Sequence, residues 1–300
     1  MQTVKFLFEE IKIAMSTDNN KKTPKDSHYA RLRRQFRDQN ANPSTQNFRK
    51  STRPATDARA LSDDLVRLYG LHTVRAAVLN PNRKITRMLA TRNALARLEI
   101  EDIESRNFPI EIVTPRDIDN ETGSEAVHQG VMIEAKPLKA QKLSDLQDSQ
   151  LLLVLDQVTD PHNVGAIMRS AVAFGAQALI TTSRHSPQES GVLAKSASGA
   201  LELINHIEVR NLAEALEELH ELGFMTIGLD SEGPAEMEAT LTGGKIALVL
   251  GAEGKGLRQK TRETVSALAR LDMPGEIKSL NVSNAAAISL YAAERYLRSK

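Results

Sequence analysis

LLLVLDQVTDPHNVGAIMRSAVAFGAQALITT, residues 151–182, decides how the chain is built. LLLVLD is apolar up to its last residue, as in a strand buried on both faces of a parallel sheet. A helix is expected from about Val164 to Phe174, closed by Gly175, and AQALITT then reads as the next strand. Outward from this unit the rhythm repeats. Glu202–Val209 holds a further short strand. NLAEALEELHELG is a helix whose Asn211 and Glu214 match a capping box and whose Gly223 is a stop. FMTIGLD and IALVLG are strands, and SLNVSNAAAISLYAAERYLRSK is a long closing helix with small residues on one face. Such alternation implies an α/β domain over residues 151–300, its parallel sheet covered on both sides.

Upstream, LVRLYG, ITRMLAT, PIEIV and VMIEA read as short strands. Helices are expected at His72–Leu79, stopped by Asn80-Pro81, and from about Asn93. These form a smaller α/β module over residues 63–136, and the polar stretch 137–150 reads as a linker. Residues 1–62 lack hydrophobic periodicity after Met15 and are rich in Asn, Ser, Thr and basic residues, so a disordered extension is expected. Met15 is an alternative start. Net charge is +1, but residues 1–60 carry +7 (13 Lys and Arg against 6 Asp and Glu) and the remainder carries −6 (26 against 32). A basic arm such as YARLRRQFRDQN is attracted to polyanions.

The absence of cysteine excludes disulfides, zinc–thiolate sites and thiol nucleophiles, and suits a reducing cytoplasm. No apolar run reaches the ~18–20 residues of a membrane span, and charges interrupt the first fifteen residues where a secretory signal would be apolar. No metal is expected. Neither a P-loop nor a GxGxxG fingerprint occurs, which disfavours a nicotinamide dehydrogenase.

Three segments depart from plain core chemistry, each after a buried strand, where open α/β sheets form ligand crevices. In the first, Asp156, Asp160, Pro161 and Asn163 crowd a turn, and Arg169 follows in a stretch of Ala, Val, Ile and Met. Asn163 also suits a simple helix cap, and Arg169 a surface position. In LVLGAEGKGL, Gly251, Gly254 and Gly256 permit close backbone approach around Glu253, as a tight turn alone would also require. In LDMPGEIKSLNVSNAAA, Met273 opens a turn, and Ser279, Asn281, Ser283 and Asn284 supply more polar groups than one cap needs. Ala285–Ala287 suit a helix packed closely on a partner.

Together these segments resemble the signature motifs of the SPOUT class of RNA methyltransferases, in its SpoU/TrmH branch, over roughly 150 residues. KSASGAL (Lys195–Leu201) is a further family-like stretch, and YGLHTVRAAVLN and HQGVMIEA resemble the branch's small RNA-binding domain, similar in fold to a ribosomal protein of the L30e type. The resemblance implies a trefoil knot in residues 151–300 and S-adenosylmethionine as cofactor. It implies methylation of a ribose 2′-hydroxyl in RNA, with a guanosine of 23S ribosomal RNA expected. A transfer-RNA target and a non-catalytic, RNA-binding ribosome assembly factor are the alternatives. It places Gly251, Leu271 and Leu280, with Gly256 and Met273, at the cofactor. Asn163, Arg169, Glu253, Ser279 and Asn281 fall on the catalytic positions, Arg169 engaging the 2′-hydroxyl. It implies a homodimer in which Arg169 serves the neighbouring subunit's cofactor and the closing helix contributes to the contact. His72 and His128, with no acid partner evident, read as structural or RNA-contacting.

Deleting residues 1–60 is expected to weaken RNA affinity mostly at low salt and to flatten the dependence of log K on log salt. A slope unchanged by the deletion would make the arm a bystander.

Overall fold

The computed structural model describes residues 64–300; the expected extension over 1–62 lies outside them. Two sheets organise the described chain. The smaller contains β1 (Val66–Tyr69), β2 (Ile85–Ala90), β3 (Ile110–Ile112) and β4 (Val131–Ala135) in the order β1-β4-β2-β3. β4 runs antiparallel to both neighbours, and β2 pairs parallel with β3. Helices α1 (Leu71–Leu79), α2 (Arg92–Arg97) and α3 (Pro115–Thr122) connect these strands.

The larger sheet holds seven strands: β5 (Leu151–Asp156), β6 (Ala178–Thr182), β7 (Asn205–Val209), β8 (Met225–Leu229), β9 (Ala235–Glu236), β10 (Ile246–Gly251) and β11 (Ala267–Arg270). Their order is β7-β6-β5-β10-β8-β11-β9, and every pairing is parallel. In chain order its helices are α4 (Pro161–Ala173), α5 (Gly191–Ala197), α6 (Leu212–Glu221), α7 (Met237–Thr240), α8 (Gln259–Thr264) and α9 (Val282–Arg298). The central strands are apolar throughout because both faces are covered. On one face Leu151, Leu153, Leu155, Leu248 and Leu250 pack with Ile167 and Met168 of α4 and Ala286 and Leu290 of α9. On the other, Leu152, Val154, Ala247 and Val249 pack with Leu212, Leu216 and Leu219 of α6.

Several local expectations are corrected. Asn163 does not cap α4. Asp160 does, accepting from the His162 amide at 2.9 Å, because Pro161 is preset for the first helical position and needs no partner for an N–H. The closing helix begins at Val282, not Ser279, with Asn281 as its cap. Its small residues Ala286 and Ala293 are buried in the chain's own core, while Asn284, Ile288, Tyr291 and Arg295 form the outward stripe. Within the stretch read as a linker, Leu143 and Leu146 are buried against the α6 face of the sheet. Helices α3, α5, α7 and α8 were not anticipated, although Thr114 and Asp117 form a capping box for α3, with Pro115 in its first turn. His128 does have an acid beside it. Its Nδ1 accepts the Gly130 amide at 3.0 Å, which leaves Nε2–H to donate to Asp119 at 3.1 Å.

The two sheets share one apolar core, in which Leu68, Val74, Leu98 and Ile133 join Leu153, Leu155 and Val164. KSASGAL lies along this seam. Lys195 Nζ donates to Gln129 Oε1 at 2.6 Å, Gly165 of α4 packs on Ser196, and Gly199 adopts φ +94° against α1. Arg83, with its side chain fully buried, pairs with Glu189 at 2.5 Å and Glu202 at 2.6 Å and donates to the Lys136 carbonyl at 2.9 Å. No helix among the described residues is long and apolar enough to cross a membrane.

Arg83→Met strands two buried carboxylates and is expected to cost about 3–5 kcal/mol in urea unfolding. Burial already pushes the Glu189 carboxyl up. A carboxyl raised on folding keeps its proton to higher pH in the folded chain than in the unfolded one. It therefore favours folding at low pH, and that contribution is lost as pH rises through the raised value. The penalty in the variant should be larger at neutral pH than under acid conditions that protonate Glu189; an equal penalty at both would mean that the carboxylates find other partners.

Candidate functional site

A cavity of about 580 Å3 opens at the carboxyl ends of β8, β10 and β11, where parallel α/β sheets place ligands. Leu229 and Asp230 leave β8, Leu250 and Gly251 end β10, Leu271 follows β11, and residues 278–282 lead into α9. The walls are largely apolar, from Leu229, Leu250, Leu271, Met273, Leu280 and Val282, with polar groups at the rim. The volume suits a molecule of cofactor size.

The glycine-rich loop forms one wall. Gly256 donates its amide to the Ala252 carbonyl at 2.8 Å, folding the loop back on itself. A Cβ on Gly251 would lie 2.1 Å from the Gly256 carbonyl carbon, so the close approach requires glycine. Gly254 and Gly256, at φ +77° and +65°, complete the turn.

Asn281 joins the three segments. Its Oδ1 accepts from the Ser283 amide at 2.8 Å and the Ser283 hydroxyl at 2.6 Å, which caps α9. Its Nδ2 donates to Asn163 Oδ1 at 3.1 Å and reaches Glu253 Oε1 at 3.4 Å. One side chain thus touches the first turn of α4, the glycine-rich loop and the helix it caps. The turn before it is closed by Lys278 Nζ donating to the Met273 carbonyl at 2.7 Å.

Of the sequence-expected residues, Gly251, Glu253, Gly256, Leu271, Met273, Ser279, Leu280 and Asn281 line this cavity, and Asn163 joins it through Asn281. Arg169 does not. Six residues at about 100° each carry it roughly 120° around α4 from Asn163. Its side chain is exposed and has no partner among the described residues. His72 is exposed on α1, and His128 is tied to Asp119 in the smaller module; neither lines the cavity.

Sequence reasoning missed Asp230, Ser231 and Lys278 in the lining. Asp230 accepts from the Glu232 amide at 2.9 Å and is ion-paired with Arg262. Its position at the end of the strand FMTIGLD was the available signal. The pairing of Asp156 with Arg258, 102 residues away, had none.

The fold and cavity define an α/β protein built to hold a small ligand at the strand ends, beside a smaller module that shares its core. The chain belongs to the SpoU rRNA methylase family, whose profile matches residues 150–291. A second profile, for RNA 2′-O ribose methyltransferase substrate binding, matches residues 67–141. The chain is 35% identical over 237 residues to the 23S rRNA (guanosine-2′-O-)-methyltransferase RlmB of Vibrio vulnificus, covering 76% of this chain and 96% of that protein. With the protein of the same name from Photorhabdus laumondii the identity is 38%, over 76% and 97%. The fold is shared with the SpoU methyltransferase AviRb from Streptomyces viridochromogenes in complex with AdoMet, at a TM-score of 0.66 and 21% identity, over 79% of this chain and 91% of that one. An AdoMet-bound rRNA methyltransferase from Sinorhizobium meliloti matches with a TM-score of 0.66 at 22% identity, over 78% and 88%.

Gly251→Ala is expected to drive the loop off the β10 end and abolish saturable binding of S-adenosylmethionine in calorimetry, with the far-UV spectrum retained. A wild-type isotherm would show that the loop yields without losing the cavity.

Proposed function

We propose that this chain methylates a ribose 2′-hydroxyl in RNA, using S-adenosylmethionine, and that its target is a guanosine of 23S ribosomal RNA. The observation that carries the reading is the convergence of all three motif segments on Asn281 around one cavity. The relatives named above supply the substrate class.

The residues present fit the cofactor. A loop folded so closely that Gly251 admits no Cβ, apolar walls and polar groups in the lining suit a nucleoside with a charged tail. When bound, S-adenosylmethionine supplies a methyl made electrophilic by its sulfonium. Gly251, Leu271 and Leu280, with Gly256 and Met273, hold it. Asn163, Glu253, Ser279 and Asn281 fix the rim against which the ribose is aligned, and such positioning contributes up to ~7–11 kcal/mol when geometry is good.

Arg169 is the residue assigned to the 2′-hydroxyl. A guanidinium stays protonated, with a pKa above ~12, so it orients the oxygen and stabilises the developing alkoxide instead of taking the proton. The proton leaves to a neighbouring RNA phosphate or to hydroxide. Arg169 does not line its own chain's cavity, and in this reading it acts on that of a second copy. Ile288 and Tyr291, 47% and 54% exposed on α9, with Tyr291 edge-on to Phe174 at the end of α4, provide apolar surface for that contact. The reading includes a homodimer.

It also includes a trefoil knot formed by the segments around the cavity, supported by the insertion of β10 between β5 and β8 and by the return of α9 onto α4. Residues 63–136 form the L30e-like, RNA-reading domain and 151–300 the methyltransferase domain. The location is cytoplasmic, and no metal takes part.

Mapping 2′-O-methyl groups on ribosomal RNA with and without the gene tests the proposal, the expected result being one guanosine site in 23S RNA that depends on it. Sites lost from transfer RNA instead, or no site lost together with no cofactor binding, would overturn it. Arg169→Ala is expected to lower turnover by about 100-fold or more with cofactor affinity unchanged. Turnover at the wild-type rate would remove Arg169 from the mechanism.

A further inference from the structure

Asp156 ends β5, is wholly buried, and plays no part in the rim chemistry described above. It pairs in register with Gly251, the last residue of β10, where the glycine-rich loop departs. Its carboxylate also takes hold of the loop's far end. Oδ2 accepts the Arg258 backbone amide at 3.0 Å, and Oδ1 accepts Nε of the Arg258 guanidinium at 2.6 Å. Between these two anchors the chain carries Glu253, Gly254 and Gly256, all of which line the cavity. Leu257, beside Arg258, is buried against Gly228 of β8.

A second observation lies on the other side of Asp156. Gln157 has φ +63°, a left-handed conformation that disfavours residues with a Cβ. The chain accepts this strain at the point where it leaves β5 for the turn that Asp160 caps and that carries Asn163. One carboxylate therefore fixes where the glycine-rich loop lands, beside the strained turn that starts the Asn163 segment.

We propose that Asp156 is a positioning residue whose clamp on Arg258 holds the glycine-rich loop closed over the cofactor cavity, so that the loop is preformed before the cofactor arrives. This rests on the cavity being the S-adenosylmethionine site. A buried carboxylate holding both a backbone amide and a half-exposed guanidinium makes the loop's closed state independent of ligand. The cofactor then does not spend binding free energy on ordering residues 252–258.

The test uses Asp156→Asn, Arg258→Gln and the double variant of the full chain. Arg258→Gln alters a side chain that is 42% exposed, so it preserves folding even if Asp156→Asn does not. Two readouts are needed. Trypsin cleavage after the exposed Lys255, measured without cofactor, reports loop closure directly; calorimetry with S-adenosylmethionine reports affinity. Each single variant is expected to be cleaved about tenfold faster and to bind cofactor about tenfold more weakly. The double variant should be no worse than either single one, and turnover at saturating cofactor should be retained. Wild-type cleavage and affinity in Arg258→Gln would overturn the clamp, as would faster cleavage with unchanged affinity, or additive effects in the double variant. If the wild-type chain itself fails to bind S-adenosylmethionine, the functional reading falls instead, and the proposal with it.

Discussion

An asparagine amide offers one acceptor and two donor hydrogens, and Asn281 commits both ends at once. Its oxygen holds the Ser283 amide and hydroxyl and so fixes where α9 begins. Its nitrogen is thereby aimed at Asn163 and Glu253, one on the first turn of α4 and one on the glycine-rich loop. These three segments lie far apart in the chain, and this side chain ties together the loops that shape the cavity. Aspartate would offer no donor to Asn163 or Glu253 and would add a like charge beside the latter. Leucine would fill space but leave the Asn163 oxygen unpaired. Polar networks of this kind favour a single arrangement, because partial satisfaction is costly.

Much of this was legible one residue at a time. The apolar runs at 151–155 and 246–250 could only be strands buried on both faces, and their C-terminal ends marked where to look. Glycines at 251, 254 and 256 signalled close backbone approach, and the excess of polar residues before α9 pointed beyond capping. What escaped was pairing. Nothing local in Asp156 says that it will meet Arg258, and His128 hides Asp119 nine residues upstream because a helix end and a turn must fold before they meet. Asn163 was ambiguous because Asn serves equally well as a cap; Asp160 and Pro161 settle that by taking the cap themselves. The outward direction of Arg169 was available from the helical period alone, since a spacing of six does not return to the same face.

The site separates two duties that a single pocket would have to combine. Residues that shape the cavity are fixed by backbone close approach, buried carboxylate and amide bonds, all within one chain. The residue assigned to the reacting oxygen stands outside, exposed on α4 and free of partners among the described residues. An unpaired guanidinium on a surface costs little, whereas one buried beside a cationic sulfonium would suffer both desolvation and repulsion. On the reading proposed above, in which it serves a neighbouring copy, that conflict is avoided until RNA phosphates are present to offset it.

The smaller sheet packs its inward side into the same continuous interior as the larger one, and Arg83 stitches the seam with two carboxylates. Each part also keeps a cluster of its own, around Leu216 in the larger and Ile118 in the smaller, but parting the two would expose the shared core on both. The shared core couples the two parts, and residues 64–300 are expected to melt together. An alteration deep in β1 or β4 would be felt at the methyl-transfer centre through lost cohesion of the whole, even though none of its atoms comes near that centre.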